Sequence, residues 1–299
     1  MRDKILGWSA SRYDCFSLCR RQYFYQYYGL KFTDFLTREK VAVLKKLVSG
    51  PLFVGQVAHD LIAKVLRRLQ SNPEEIEKAK FFAYCDKIIE QSFKENSFLE
   101  EYYGQKHIKL EELKSDIHKV LEDFFATRWF SWIRESALEN RKSWLVEPGD
   151  FGLCCVGGLK AYCKVDFAFP LGETIYVLDW KTGKSDEIKH RKQLLGYVHY
   201  VMEHYKVPAQ AVKAGLAYVG RENRELETEF DSSEVEEFKT QLSRETDEMY
   251  RYCLDVQENV PLGIEHFTPC NKPNVCRQCN YQEVCLGGDT PPSSEEAEF

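Results

Sequence analysis

Thr174-Ile-Tyr-Val-Leu-Asp-Trp-Lys181 is an apolar run ending in an aspartate and a lysine two residues apart. As a strand it sends alternate side chains to opposite faces, so Asp179 and Lys181 share one face while Tyr176, Leu178 and Trp180 take the other. A carboxylate and an ammonium are thereby held side by side at a strand end. The run before it, Lys164-Val-Asp-Phe-Ala-Phe169, is also strand-like and is joined to it by a turn at Pro170-Leu-Gly-Glu173. A hairpin between the two sets Asp166 beside Asp179 and completes a two-carboxylate cation site. Phosphodiester cleavage needs such groups: hard oxygen ligands to hold a divalent cation against a phosphate, and a cationic group to position a water and offset developing charge. A lone Asp-x-Lys at a strand end is commonly a solvated pair that contributes little, so the neighbouring sequence has to decide.

Downstream, a helix expected over 187–204 carries Gln193 and Tyr197 at i and i+4, neighbours on one face. Upstream, a helix expected over 53–69 has its apolar stripe at Val54, Val57, Ala58, Leu61, Ile62, Val65 and Leu69. His59 lies at the edge of that stripe, and Gly55, one turn earlier, leaves room for a metal or phosphate to approach.

Several of these segments, in this order, resemble one family. Gly157-Gly-Leu-Lys-Ala-Tyr-Cys-Lys-Val-Asp166, Val177-Leu-Asp-Trp-Lys-Thr-Gly183 and Gln193-x-x-x-Tyr197 are similar to the core of the RecB-like branch of PD-(D/E)xK nucleases. Gly55-Gln-Val-Ala-His59 resembles that family's Gly-x-x-x-His helix motif. Ser9-Ala-Ser-Arg-Tyr-Asp-Cys-Phe-Ser-Leu-Cys-Arg-Arg-Gln-Tyr23 resembles its amino-terminal Ser-x-Ser and Cys-Pro-x-x-Tyr segment. The likeness runs from about Ser9 to Cys285 and is to the iron-sulfur type, as in AddB-type helicase–nuclease subunits and CRISPR-associated exonucleases. It implies an α/β, restriction-endonuclease-like core with a helical amino-terminal elaboration and a carboxyl-terminal Fe-S segment. It further implies that His59, Asp166 and Asp179, with the backbone carbonyl of Trp180, ligate Mg²⁺ or Mn²⁺. Lys181 would orient or activate the attacking water and stabilise the developing charge, and Gln193 and Tyr197 would position that lysine or the nucleic-acid backbone. Glu147, in Trp144-Leu-Val-Glu-Pro148, matches a further acidic position before the first core strand, although a Glu next to Pro can simply end a strand.

Cysteine is the second signal. The chain has eleven, opens on no signal-peptide pattern and has no run of the roughly 20 apolar residues of a membrane span; a cytoplasmic chain without a disulfide framework is expected. Cys276-Arg-Gln-Cys279-Asn-Tyr-Gln-Glu-Val-Cys285 groups three thiols that need a fourth partner, for zinc or for an iron-sulfur cluster, and spacing does not separate the two. The resemblance supplies Cys19 as that partner, with Arg20 in place of the usual proline, and favours a 4Fe-4S cluster clamping two distant ends of the chain. Cys270 and Cys15 are rival ligands. Cys85, Cys154, Cys155, Cys163 and Cys253 are read as buried reduced thiols.

At 299 residues, 43% hydrophobic and 14% aromatic, the chain can bury a substantial core. Its net charge of −6 argues against a generally basic nucleic-acid binder. The charge is uneven: residues 221–259 carry a net −8 and the tail 289–299 four acids with no base, which leaves the remainder at +6. That remainder holds Arg20 with Arg21, Lys45 with Lys46, Arg67 with Arg68, and Lys189-His-Arg-Lys192, local patches able to track a phosphate backbone. Periodicity predicts further helices over 9–28, 73–99, 108–135 and 232–254, and a strand over 212–219. The expected division is a mainly helical amino-terminal region over residues 1–140, a nuclease core over 141–260, a cysteine segment over 261–288 and a disordered acidic tail over 289–299. Gly183-Lys-Ser185 resembles the end of a phosphate-binding loop, but the required earlier glycine falls at Leu178; any unwinding would come from a partner helicase. The resemblance implies a metal-dependent DNA exonuclease acting on single-stranded ends in repair, recombination or CRISPR spacer acquisition. The alternatives are a non-catalytic DNA-end-binding subunit of a helicase complex and a zinc-stapled interaction protein.

Overall fold

The computed structural model describes residues 5–149 and 152–285; the tail 289–299 lies outside the described residues. The predicted helix over 9–28 is two helices, α1 (Ala10–Leu18) and α2 (Arg20–Tyr27), broken at Cys19, whose backbone is extended. Cys19 closes α1 through its N–H to the Cys15 carbonyl at 3.1 Å and opens α2 by accepting the Gln22 N–H on its sulfur at 3.5 Å. Arg20 is the first residue of α2, a position whose N–H needs no helical partner. Next come α3 (Phe35–Leu44) and α4 (Gly50–Ser71), the latter longer than the predicted 53–69 because Ser49 caps it and Pro51 sits in its first turn. α5 spans Lys78–Glu95. The predicted helix over 108–135 is interrupted: α6 (Leu110–Ala126) ends at Thr127, whose hydroxyl accepts the Phe130 N–H at 3.1 Å and starts the short helix Arg128–Trp132.

Besides two short two-stranded pairs, Leu47–Val48 with Ser97–Phe98 and Cys253–Asp255 with Val260–Pro261, the strands are β1 (Leu145–Val146), β2 (Leu153–Val156), β3 (Leu159–Tyr162), β4 (Phe167–Leu171), β5 (Thr174–Lys181), β6 (Val212–Tyr218) and β7 (Arg224–Glu229). Five of them form one sheet in the order β1-β4-β5-β6-β7, while β2 and β3 make a separate hairpin. β4 and β5 are antiparallel, with the turn at Gly172-Glu173 rather than from Pro170, since Pro170 pairs with Ile175. β5 and β6 are parallel and are connected through α7 (Glu187–Tyr205), the crossover a parallel pair requires. α8 (Ser232–Tyr250) follows, four residues shorter than expected.

Helices cover both faces of the sheet. Ile175 and Val177 of β5 join one apolar cluster with Phe16 of α1, Val198 and Val201 of α7 and Phe238 and Leu242 of α8. Tyr176, Leu178 and Trp180 join a second cluster with Phe53, Leu61 and Ile62 of α4 and Phe124 of α6. The strand alternation expected from sequence is therefore what separates the two cores. β7 was not foreseen, because Arg-Glu-Leu-Glu-Thr-Glu lacks apolar alternation. It is an edge strand held by charge, with Lys213 2.7 Å from Glu229 and Arg128 3.1 Å from Glu227, and such charged edges resist pairing with other chains.

Candidate metal centre

The β4–β5 ladder pairs Phe167 with Leu178, so one step further Asp166 stands across from Asp179. Asp166 precedes the strand rather than lying within it, and its place is fixed by backbone contacts on both sides. The Trp180 N–H donates to Asp166 Oδ2 at 3.3 Å, and the Glu147 N–H donates to the Asp166 carbonyl at 3.1 Å. The Trp180 peptide thus faces Asp166 rather than β6. His59 arrives from α4, with Nδ1 3.3 Å from Asp166 Oδ2. Ligand atoms of His59, Glu147 and Asp166 lie within 4.8 Å of one another and face an opening of about 580 Å³.

Asp179 is 1% exposed and Lys181 17% exposed, with Lys181 Nζ 2.8 Å from Asp179 Oδ2. The same ammonium donates to Gln193 Oε1 at 2.7 Å, and the Gln193 amide in turn donates to the Tyr197 hydroxyl. Lys181 is therefore held at a fixed point by two acceptors. Asp179 Oδ1 is buried without a hydrogen-bond partner, a costly state unless a cation or solvent meets it. This orphan oxygen, beside a His, a Glu and an Asp that offer only N and O donors, fits a hard divalent ion.

The charges act on one another. Burial pushes the Asp179 carboxyl up to about 6, against the pull of Lys181 and with the help of the Asp166 charge. Burial works against the charged His59, but Asp166 above all, and Asp179, outweigh it and hold the imidazole up at about 9. Asp166 is buried too, yet His59, Lys181 and the Trp180 N–H hold it below the usual carboxylate range. Lys181, despite its own burial, is held above the usual lysine value by Asp179 and Asp166, and so stays an ammonium at neutral pH. Two carboxylates and two cations at close range leave little latitude for losing any one of them.

All the sequence-selected side chains, His59, Asp166, Asp179, Lys181, Gln193 and Tyr197, converge here. Glu147 joins them: it ends β1 with φ +40°, a left-handed backbone uncommon for Glu, and its carboxylate lies 3.4 Å from Lys164 and 3.5 Å from Arg67. Gly55 lines the opening beside His59, and a Cβ there would lie 3.1 Å from the Thr182 hydroxyl, so the glycine also admits the loop after β5. His190 escaped the sequence reading: its Nδ1 is 2.9 Å from the Tyr218 hydroxyl, and burial together with the Lys181 charge pushes its pKa down to about 4. A histidine three residues before Gln193, one turn earlier on the same helix, was the available signal.

Cys19, Cys276, Cys279 and Cys285 line one small hollow. Cys270 lines it as well, whereas Cys15 packs toward the core one turn before Cys19. The two ends of the chain are tied together there independently of any metal: the Tyr25 hydroxyl donates to the Val284 carbonyl at 2.9 Å and Arg21 Nε to the Phe267 carbonyl at 2.6 Å. Burial, with Cys19, Cys285 and Cys276 close by, pushes the Cys279 thiol up to about 12. Among the described residues, only His59, Glu147 and Asp166 bring three donor atoms within 4.8 Å; the cysteine sulfurs are more widely spaced. No cysteine of the chain is in a disulfide.

The family model of the PD-(D/E)XK nuclease superfamily matches residues 7–286. No curated protein matches the chain. Among solved structures the chain is similar to one titled "Crystal structure of SSO0001", at 16% identity over 62% of this chain and 76% of that one; the TM-score of 0.29 is too low to bear on the fold. Among the described residues no helix is long and apolar enough to cross a membrane.

Proposed function

The chain belongs to the PD-(D/E)XK nuclease superfamily, and from that premise we propose that it is a divalent-metal-dependent DNA exonuclease of the RecB-like, iron-sulfur type, acting on single-stranded ends. The observation that carries this reading is the Asp166–Asp179 juxtaposition, with His59 3.3 Å from the first and Lys181 2.8 Å from the second. His59, Glu147 and Asp166, with Asp179 through its unpartnered Oδ1, would hold Mg²⁺ or Mn²⁺; the Trp180 carbonyl is the further ligand the family implies. Such an ion polarises the phosphate and neutralises its charge. The protein does the positioning. Gln193, steadied by Tyr197, and Asp179 aim the Lys181 ammonium at the scissile phosphate. Held protonated, that lysine donates hydrogen bonds to the attacking water and the phosphoryl oxygens rather than taking a proton.

A partner helicase would deliver the strand, and the working setting would be repair, recombination or CRISPR spacer acquisition. End-labelled single- and double-stranded DNA, incubated with Mg²⁺, Mn²⁺ or chelator, tests the proposal. A metal-dependent ladder from one end of the single strand is expected; no cleavage by folded protein would leave the non-catalytic end-binding subunit as the better reading.

The cysteine hollow supports a 4Fe-4S cluster on Cys19, Cys276, Cys279 and Cys285. The choice of this cluster over zinc rests on the family resemblance alone, since four thiols lining one hollow suit either. Anaerobically purified protein is expected to be brown and to contain iron and sulfide. Cys279→Ser should bleach it and lower the thermal midpoint by several degrees, since metal binding is coupled to folding. Stoichiometric zinc without iron would overturn this assignment.

A further inference from the structure

Beside the metal centre, across Lys164, lies a second cleft of about 500 Å³ whose wall includes Gln193 and Tyr197. It is built by the amino-terminal segment. The Trp8 N–H donates to the Lys160 carbonyl and the Tyr162 N–H to the Trp8 carbonyl, both at 2.8 Å, so residue 8 joins β3 through a single parallel bridge to Ala161. Gly7 is required for this: a Cβ there would fall 2.5 Å from the Tyr162 ring. The opposite wall is pinned by Glu245, 6% exposed, which accepts from Trp8 Nε1 at 2.8 Å and from Lys192 Nζ at 2.7 Å.

The lining is cationic and aromatic. Arg12, Lys164, Lys189 and Lys192 line it; Lys192 pairs with Glu245 at 2.7 Å, Lys189 with Asp14 at 2.9 Å and Lys164 with Glu147 at 3.4 Å, while Arg12 meets no carboxylate among the described residues. The Arg12 guanidinium stacks 4.3 Å over Tyr27 and bonds the Tyr23 hydroxyl and the Gly7 carbonyl; among the described residues none of these partners is a carboxylate, so its charge is not cancelled. Tyr27 and Tyr162, both partly exposed, stand among these cations. Aromatic rings interleaved with cations suit a strand whose bases are unpaired and free to stack. The hollow on the other side of the metal centre, which shares Pro51 and Thr182 with it, differs: it has a similar mix of cations and carboxylates, but no aromatic residue lines it.

We propose that the cleft bounded by Arg12, Tyr27, Tyr162, Lys189 and Lys192 holds the unpaired nucleotides on one side of the scissile phosphate, stacking their bases and neutralising their phosphates. The inference rests on the reading of the neighbouring carboxylates as a DNA-cleaving site, and it makes recognition one-sided: bases matter on the cleft side and not on the other.

The test is binding of fluorescein-labelled oligothymidylate in chelator, followed by anisotropy. Tyr162→Leu is expected to weaken binding about tenfold and Tyr162→Phe to retain it, because the ring rather than the hydroxyl carries the stacking. Lys189→Gln should reduce the slope of log affinity against log salt by about 0.7, one phosphate contact on a single strand. In wild-type protein with Mn²⁺, abasic sites placed one at a time should slow cleavage only on one side of the cut. Equal binding by Tyr162→Leu, or abasic effects that are symmetric or absent, would overturn the proposal. Binding without metal separates the two readings. Tyrosine-dependent binding by a protein that never cleaves would sink the nuclease and keep the cleft; cleavage with tyrosine-independent binding would sink the cleft alone.

Discussion

Lys181→Ala is expected to reduce single-turnover DNA cleavage by about 10³-fold while leaving strand binding in chelator within about twofold of wild type. The size follows from removing a preorganised donor at the reacting phosphate, where such groups are worth about 10²–10³ or more. Lys181 is held by Asp179 at 2.8 Å and Gln193 at 2.7 Å, which fixes its ammonium beside the carboxylates. A second effect adds to the first. Without the ammonium, the buried Asp179 loses the charge that offsets its desolvation, and its carboxyl rises beyond about 6. The variant should therefore keep its residual activity only at higher pH. Lys181→Arg retains the charge but not the single-point geometry and is expected to recover only a small fraction of the rate. Wild-type cleavage by Lys181→Ala, measured on a folded sample, would refute the assigned role.

Mn²⁺ affinity is expected to rise about 10²-fold between pH 6.5 and 8.5. The sign follows from His59, which must be neutral to ligate, whereas Asp166 and Asp179 hold its imidazole protonated up to about 9. Below that value each bound cation displaces a proton, so affinity climbs about tenfold per pH unit and levels off above it. The folded protein without metal behaves oppositely. Because the folded-state value of His59 lies above the ordinary 6.5, its pairing with Asp166 stabilises fully below about 6.5, and that contribution is lost as pH rises through 9. Titration calorimetry in buffers of different ionisation enthalpy should count about one proton released per ion at pH 7.5. His59→Asn should abolish the pH dependence. A pH-independent affinity in wild type would remove His59 from the ligand set.

The chemistry was more legible than the architecture around it. Asp179 and Lys181 could be placed on one face, and Tyr176, Leu178 and Trp180 on the other, because a strand's period of two is a local property; the two apolar clusters confirm the division. Asp166 could be set against Asp179 because a short hairpin leaves few registers. Helix breaks were harder. The break at Cys19 contains neither Gly nor Pro, and the interruption at Thr127 depends on a hydroxyl capping the next turn. β7 was missed because its cohesion comes from Lys213 and Arg128 meeting its glutamates, not from apolar alternation.

By itself the sequence determined which side chains could form the site and how each element presents them, since alternation and i, i+4 spacing are set within a few residues. Only the tertiary structure decided which of them meet. Glu147 became a candidate ligand because a left-handed turn at the end of β1 aims it toward His59 and Asp166. Gly55 proved to admit Thr182, Cys270 joined the cysteine hollow, and Trp8 became the wall of a cleft shared with Gln193 and Tyr197. Each of these rests on packing between segments far apart in the chain. Such contacts depend on how whole helices and strands bury their faces against one another, which no local pattern encodes.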